Sequence, residues 1–215
     1  MRNFIRGVCA ALAFVAFAAS AADPAFENGK QYKPVREAVK PDDVKRILVQ
    51  EFFWYGCPHC YHLEPALEAW AAHKPADVDF VRVPNSLGRP QGMVHSKTFY
   101  TIDALNLQDK MHRAVFDGIH RDHLPLDTQD AMRDFFVKTA GIKPDVFDAT
   151  FSGFAVDSQV RRAENLTQQF AISAVPTVVV GGEYYTNAGM TGDFDKLIQC
   201  ISFLVDKVRN ERAGK

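Results

Sequence analysis

The sequence is poor in cysteine, with four in 215 residues, and it shows no basic tract, no internal repeat and no low-complexity segment. Each shortage excludes something. Small exported proteins that depend on disulfides carry several well-separated cysteine pairs. Here Cys9 falls in the extreme N-terminal segment, leaving one close pair, Cys57 and Cys60, and a single Cys200. Nucleic acid is not an expected partner, because the net charge of −1 becomes −3 once Arg2 and Arg6 are lost with the leader described next. Long apolar runs are also scarce, and after Ala19 no segment is apolar enough to span a bilayer.

The leader itself is well marked. Arg2 and Arg6 form a positive n-region, Val8 to Ala19 an apolar stretch, and Ala19-Ser20-Ala21-Ala22 a small-residue cleavage pattern. Residues 1–22 therefore read as a cleaved secretory signal, and about 190 residues remain for one core with one elaboration. Seventeen phenylalanines promise a large aromatic core.

Periodicity orders that remainder. Ile47 to Trp54 is almost continuously apolar and reads as a strand buried on both faces. Tyr55-Gly56 turns the chain, and Pro58 suits the first turn of a helix carrying Leu63, Ala66, Leu67 and Trp70. Val78 to Val83 reads as a second strand, parallel to the first. From Pro84 to about Ser96 the Pro/Gly content suggests a loop. Helical spacing then runs from Phe99 through Val137, with Asp127 or Thr128 as a cap and Gly141 as a stop. Pro144 to Phe151 and Phe154 to Phe170 read as two more helices. Thr177–Val180, Gly181-Gly182 and Glu183–Thr186 read as a β-hairpin, followed by a final amphipathic helix from Thr191 or Asp193. The plan is an α/β chain of β-α-β, an all-helical insertion, a helix, β-β and α. It divides into 23–88 with 162–215 as one discontinuous domain and 89–161 as the insertion.

The chemistry is concentrated at Cys57-Pro58-His59-Cys60, where strand turns into helix. The first cysteine of such a turn faces unpaired amide N–H groups and the positive end of the helix dipole, which favour a thiolate. His59 adds a donor or a positive charge beside it. Two cysteines this close close into a disulfide readily, and Cys57 is expected to be the sulfur a substrate attacks, with Cys60 as its buried resolving partner. The order Cys57, Cys60, His62 could also suggest a metal site, but no second cluster accompanies it. Covalent haem attachment needs histidine directly after the second cysteine, where Tyr61 stands. His112, His120 and His123 fall on or beside one helix and read as surface histidines, and Cys200 as a buried, inert thiol.

Glu51-Phe52-Phe53-Trp54-Tyr55-Gly56-Cys57-Pro58-His59-Cys60, together with Ala174-Val175-Pro176-Thr177, resembles the DsbA family of periplasmic thiol:disulfide oxidoreductases. The similarity covers nearly all of the chain after the leader, including the helical insertion. The resemblance implies a thioredoxin-like fold with an inserted all-helical domain, and an oxidant that donates the Cys57–Cys60 disulfide to newly exported proteins through a mixed disulfide. It implies no small cofactor and no metal, a monomer, and reoxidation by a membrane protein of the DsbB type. By the same resemblance His59 tunes the thiolate, and Pro58 between the cysteines belongs to the catalytic motif. Pro176 is a cis-proline facing the disulfide, although X–Pro bonds are mostly trans, and the Val175 backbone pairs with an extended substrate. Glu51, an acid inside a buried strand, is costly unless it is useful; it is expected to lie beneath the disulfide and to relay a proton to Cys60. No lysine in the sequence matches it as a buried counter-charge.

Overall fold

The protein is described by a computed structural model covering residues 26–39, 43 and 45–214, so the expected signal at 1–22 lies outside the described residues. A five-stranded mixed sheet has the order β1-β5-β4-β2-β3. The central strand β2, Ile47–Phe53, pairs parallel with β3, Val78–Pro84, and antiparallel with β4, Thr177–Val180. β5, Tyr184–Thr186, continues antiparallel from β4, and β1, Lys33–Pro34, pairs antiparallel with β5 at the edge. The connection from β4 to β5 passes through Gly181 and Gly182, with φ of 65° and 70°. Val180 pairs with Tyr184 across a three-residue loop, whose tight turn takes both glycines into the left-handed region, and a Cβ on Gly182 would also lie 2.5 Å from the Val39 carbonyl oxygen.

Helix α1, Pro58–Ala72, leaves the top of β2, and α8, Phe194–Ala213, packs beside it on the same face of the sheet. Leu63 and Leu67 of α1 meet Val49, Val178 and Val180 of the sheet and the Leu197, Ile201, Leu204 stripe of α8, all fully buried. The opposite face carries Phe52, Val83 and Val179 against Ala163 and Phe170. These last two come from α6, Phe154–Gln169, and the residues that follow it.

Between β3 and α6 lie α2 Pro90–Ala104, α3 Gln108–His120, α4 Gln129–Ala140 and α5 Pro144–Phe151. α4 is capped by Thr128, whose Oγ1 accepts from the Ala131 amide at 3.2 Å, and it stops at Gly141 with φ of 72°. Three elements depart from the sequence expectation. α2 begins at Pro90, inside the stretch read as loop: proline at N1 is a start signal, and Gly92 lets the helix backbone press on the Ser86 carbonyl, where a Cβ would clash. β1 is two residues long, too short for any alternation to reveal. A four-residue helix α7, Ala188–Thr191, capped by Asn187, precedes α8. Among the described residues no helix is long and apolar enough to cross a membrane.

Candidate active site

Cys57 is the N-cap of α1, with φ −92° and ψ 116°, and Pro58 follows at the first helical position. That geometry aims the unpaired amides of the first turn back at the Cys57 side chain. The pair is present as two thiols. Cys57 keeps 7% of its surface and Cys60 none, while Pro58 and His59 are exposed. The two sulfurs are split in acidity. A hydrogen bond from the Cys60 thiol, backbone N–H groups of Cys60 and His59, and last the His59 side chain lower the Cys57 pKa to about 5, against an opposing push from burial. Burial and the bond it donates to Cys57 hold Cys60 well above a free thiol. The imidazole of His59, the tuning group singled out in the sequence, thus ranks behind the neighbouring thiol and the amides.

Facing the pair from the other half of the chain is the loop before β4. The Val175–Pro176 bond is cis, and the Val175 carbonyl accepts from Cys57 Sγ at 3.5 Å. Thr177 Oγ1 donates to the Ala174 carbonyl at 2.8 Å, tying the loop to itself.

Beneath the cysteines lies a cluster of buried charge. Glu51 is completely buried, and neither of its oxygens has a hydrogen-bond partner. Its counter-charge is Arg82, its direct partner in the parallel β2–β3 register, with Nε 3.5 Å from Glu51 Oε2. Arg82 Nη2 donates to Glu64 Oε1 and lies 3.9 Å from the half-exposed Glu68. One guanidinium therefore serves two buried carboxyls unequally. Burial, followed by the charge of Glu64, pushes the Glu51 carboxyl well above the usual carboxylate range and so favours its protonated form. Burial also pushes Glu64 up, but the hydrogen bond from His112 and the charge of Arg82 more than offset it and keep Glu64 ionised.

His112, read from the sequence as a surface histidine, is 3% exposed. It sits on the inner face of α3 with its Nε2 3.2 Å from Glu64 Oε1 and its Nδ1 2.7 Å from the Tyr55 hydroxyl. Arg82, Glu64, His112 and Tyr55 are the residues that sequence reasoning missed. Glu64 and Tyr55 lie on segments already singled out, and the charge of Arg82 within a short apolar strand was a signal available for it. Cys200 is buried on α8, away from this cluster, with its Sγ 3.7 Å from the Gln31 carbonyl oxygen; burial pushes its pKa up.

Comparison with known proteins places this geometry among relatives. The model of the DSBA-like thioredoxin domain matches residues 93–199. The chain is 38% identical to the thiol:disulfide interchange protein DsbA of Pseudomonas syringae pv. tomato, over 97% of each chain. It is 37% identical to the protein of the same name from Burkholderia cepacia, over 96% of this chain and 94% of the relative. Among solved structures, DsbA of Pseudomonas aeruginosa superposes with a TM-score of 0.81 at 35% identity, covering 88% of this chain and 97% of that one. DsbA of Xylella fastidiosa gives 0.78 at 28% identity, covering 87% and 99%.

Proposed function

The chain belongs to the DsbA-like family of thioredoxin-fold thiol:disulfide oxidoreductases, and from that premise we propose that Cys57 is the sulfur through which its disulfide passes to substrate proteins. The observation that carries this assignment is the split of the pair: one thiol with a little surface and a pKa of about 5, the other sealed and held high.

The exchange then runs in two displacements. A substrate thiolate attacks Cys57 Sγ of the oxidised pair, the Cys57–Cys60 bond breaks, and Cys60 leaves as a thiolate. That sulfur is buried and basic, so it takes a proton at once. Burial favours the protonated form of Glu51, and the carboxyl lies close enough to Cys60 to act on it electrostatically, so it is the proton donor of choice. The second substrate thiolate attacks the substrate sulfur of the mixed disulfide and expels Cys57, which departs as a stable thiolate and needs no proton. Substrate leaves with a disulfide, two electrons poorer, and the protein holds them as Cys57 thiolate and Cys60 thiol.

The Val175 carbonyl, 3.5 Å from Cys57 Sγ, stands where an extended substrate backbone would pair with it once that sulfur is engaged, and Pro176 has no N–H to compete. Substrates of this kind are newly exported, unfolded cysteine-containing proteins. A DsbB-type membrane oxidant restores the disulfide, and the protein works as a monomer in the periplasm after removal of residues 1–22. We assign the exchange chemistry to 23–88 with 162–215, and treat 89–161 as the insertion. No cofactor is called for, since every electron moves between sulfurs.

Cysteine substitution tests the assignment. In cells, Cys60→Ser should accumulate mixed disulfides that run as reducible high-mass bands, because the resolving thiol is gone, whereas Cys57→Ser should trap nothing. Trapping by Cys57→Ser instead would reverse the roles of the two sulfurs.

A further inference from the structure

The seam between the sheet and the insertion holds two histidines for which the exchange reaction has no use. His112 and His120 stand eight residues apart on α3, on one face of the helix, and both reach Tyr55, two residues before Cys57. Their proton positions follow from their partners. Ionised Glu64 only accepts, so His112 Nε2 carries the proton and Nδ1 accepts from the Tyr55 hydroxyl at 2.7 Å. His120 Nε2 lies 2.7 Å from the Tyr55 carbonyl oxygen, which also only accepts, so it is the donor there. Tyr55 is fully buried, and these two bonds satisfy its hydroxyl and its carbonyl. The same helix holds the far side of the cysteine pair. Tyr61, directly after Cys60, stacks on His120 with ring centroids 5.0 Å apart, and its hydroxyl donates to Asp117 Oδ1 at 3.0 Å.

We propose that His112 and His120 are positioning residues for the thiol exchange, through which α3 grips Tyr55 at both ends and fixes the turn that presents Cys57 to the first-turn amides. The Cys57 amide donates to the Trp54 carbonyl at 2.9 Å, so a movement of the Tyr55 peptide moves the turn and the sulfur with it. The disulfide form has its own S–S bond to hold Cys57 in place. The reduced form relies on the clamp, and loosening the clamp therefore costs the thiolate more than the disulfide. This inference rests on the reading of Cys57 as the attacked sulfur.

Two variants remove the grip with little change of shape. Tyr55→Phe deletes the hydroxyl, and His120→Phe keeps a ring on Tyr61 while deleting the donor. Phe136→Leu, in the buried core of α4 and outside the clamp, serves as a control that weakens the insertion alone. The measurements are thiolate absorbance against pH, the equilibrium constant with glutathione, and the melting temperature. Each clamp variant should raise the Cys57 midpoint and shift the glutathione equilibrium about fivefold toward the disulfide form, the scale of one hydrogen bond. Phe136→Leu should lower the melting temperature and leave both redox readings at the wild-type value. A low wild-type midpoint that neither clamp variant moves overturns the proposal and leaves the histidines structural. A wild-type midpoint at that of a free thiol overturns the reading of Cys57 and the clamp with it.

Discussion

Along one face of β2 the side chains change from Ile47 and Val49 to Glu51 and then Phe53 within a single strand of seven residues. The first two enter an aliphatic layer with Leu63, Leu67 and α8. Glu51 enters the charge cluster of Arg82, Glu64 and His112, and Phe53 joins the aromatic packing of the insertion, with its ring 5.3 Å from Phe99 and 5.8 Å from Phe116. α1 repeats the pattern in reverse, from Cys60 and Glu64 at the top to Leu67 below. The lower layer buries no charge and is held mainly by the hydrophobic effect. The upper seam buries charge at a cost, and a role in the proposed exchange at the sulfur above it would account for an acid there. Stability is concentrated in one half and chemistry in the other.

The sharpest way to break that division is Arg82→Met, which strips both buried carboxyls of their cation. Loss of one partner from a buried charge cluster costs about 3–5 kcal/mol. Glu51 is raised already, and Glu64, which Arg82 helps to hold low, is raised once the cation is gone. The penalty is therefore full well above the unfolded carboxyl pKa, about 4.3, and fades as pH falls past it toward the depressed value that Glu64 has in the wild type. Denaturant melts at pH 7 and pH 4 should show a large loss at the first and a small one at the second. Equal losses would mean that Arg82 supports the seam by packing and not by charge.

Leu204→Ala, in the lower layer, should cost about 3 kcal/mol from the lost burial and the cavity left behind. The glutathione equilibrium should stay at the wild-type value. A redox shift in this variant would erase the distinction between the two halves.

A smaller effect separates the two redox forms. The disulfide closes a loop of four residues, worth about 2 kcal/mol in the chain-entropy model. The reduced form gains instead from the Cys57 thiolate, whose depressed pKa gives stability that is full above the unfolded thiol pKa and lost as pH falls through about 5. Discounted for solvent on the open side of the sulfur, that gain is roughly 1–2 kcal/mol at pH 7 and about 3 kcal/mol at pH 8.5. The reduced protein should melt above the oxidised one at pH 8.5, and below it at pH 5. An oxidised form that melts higher at both values would make the disulfide a staple.

The smallest change lies at the start of α8, where Asp193 Oδ1 accepts from the Lys196 amide at 2.7 Å. Asp193→Ala should remove about 1 kcal/mol, the usual worth of an N-cap, read as a drop in melting temperature with no redox change.

The lower layer was legible from the sequence because its signals are local. A nearly continuous apolar run gave β2, the turn at Gly181-Gly182 marked β4, and the Leu197, Ile201, Leu204 spacing gave α8. The cysteine motif was legible because a strand-to-helix turn has local chemistry of its own. The seam was not, because its partners meet only through tertiary register. Arg82 is 31 residues from Glu51 and becomes its neighbour once β2 and β3 are aligned in parallel. The counter-charge is an arginine and not a lysine, and its planar guanidinium bonds Glu64 while pairing with Glu51 at 3.5 Å. His112 looked like a surface residue because its helix has charge on its other side; what buries it is the ring packing of Phe53 and Phe116. β1 depends on pairing with β5, some 150 residues later, and no local pattern encodes that.

The sealing of Cys60 also dictates the kinetics. With no surface on the second sulfur, the proposed exchange passes electrons in and out through a single atom, Cys57. A donor that reduces the pair and an acceptor that reoxidises it could not occupy that atom together, so turnover should be ping-pong. Double-reciprocal plots at several acceptor concentrations should be parallel, and a large excess of either reactant should slow the cycle by crowding the doorway that the other must use.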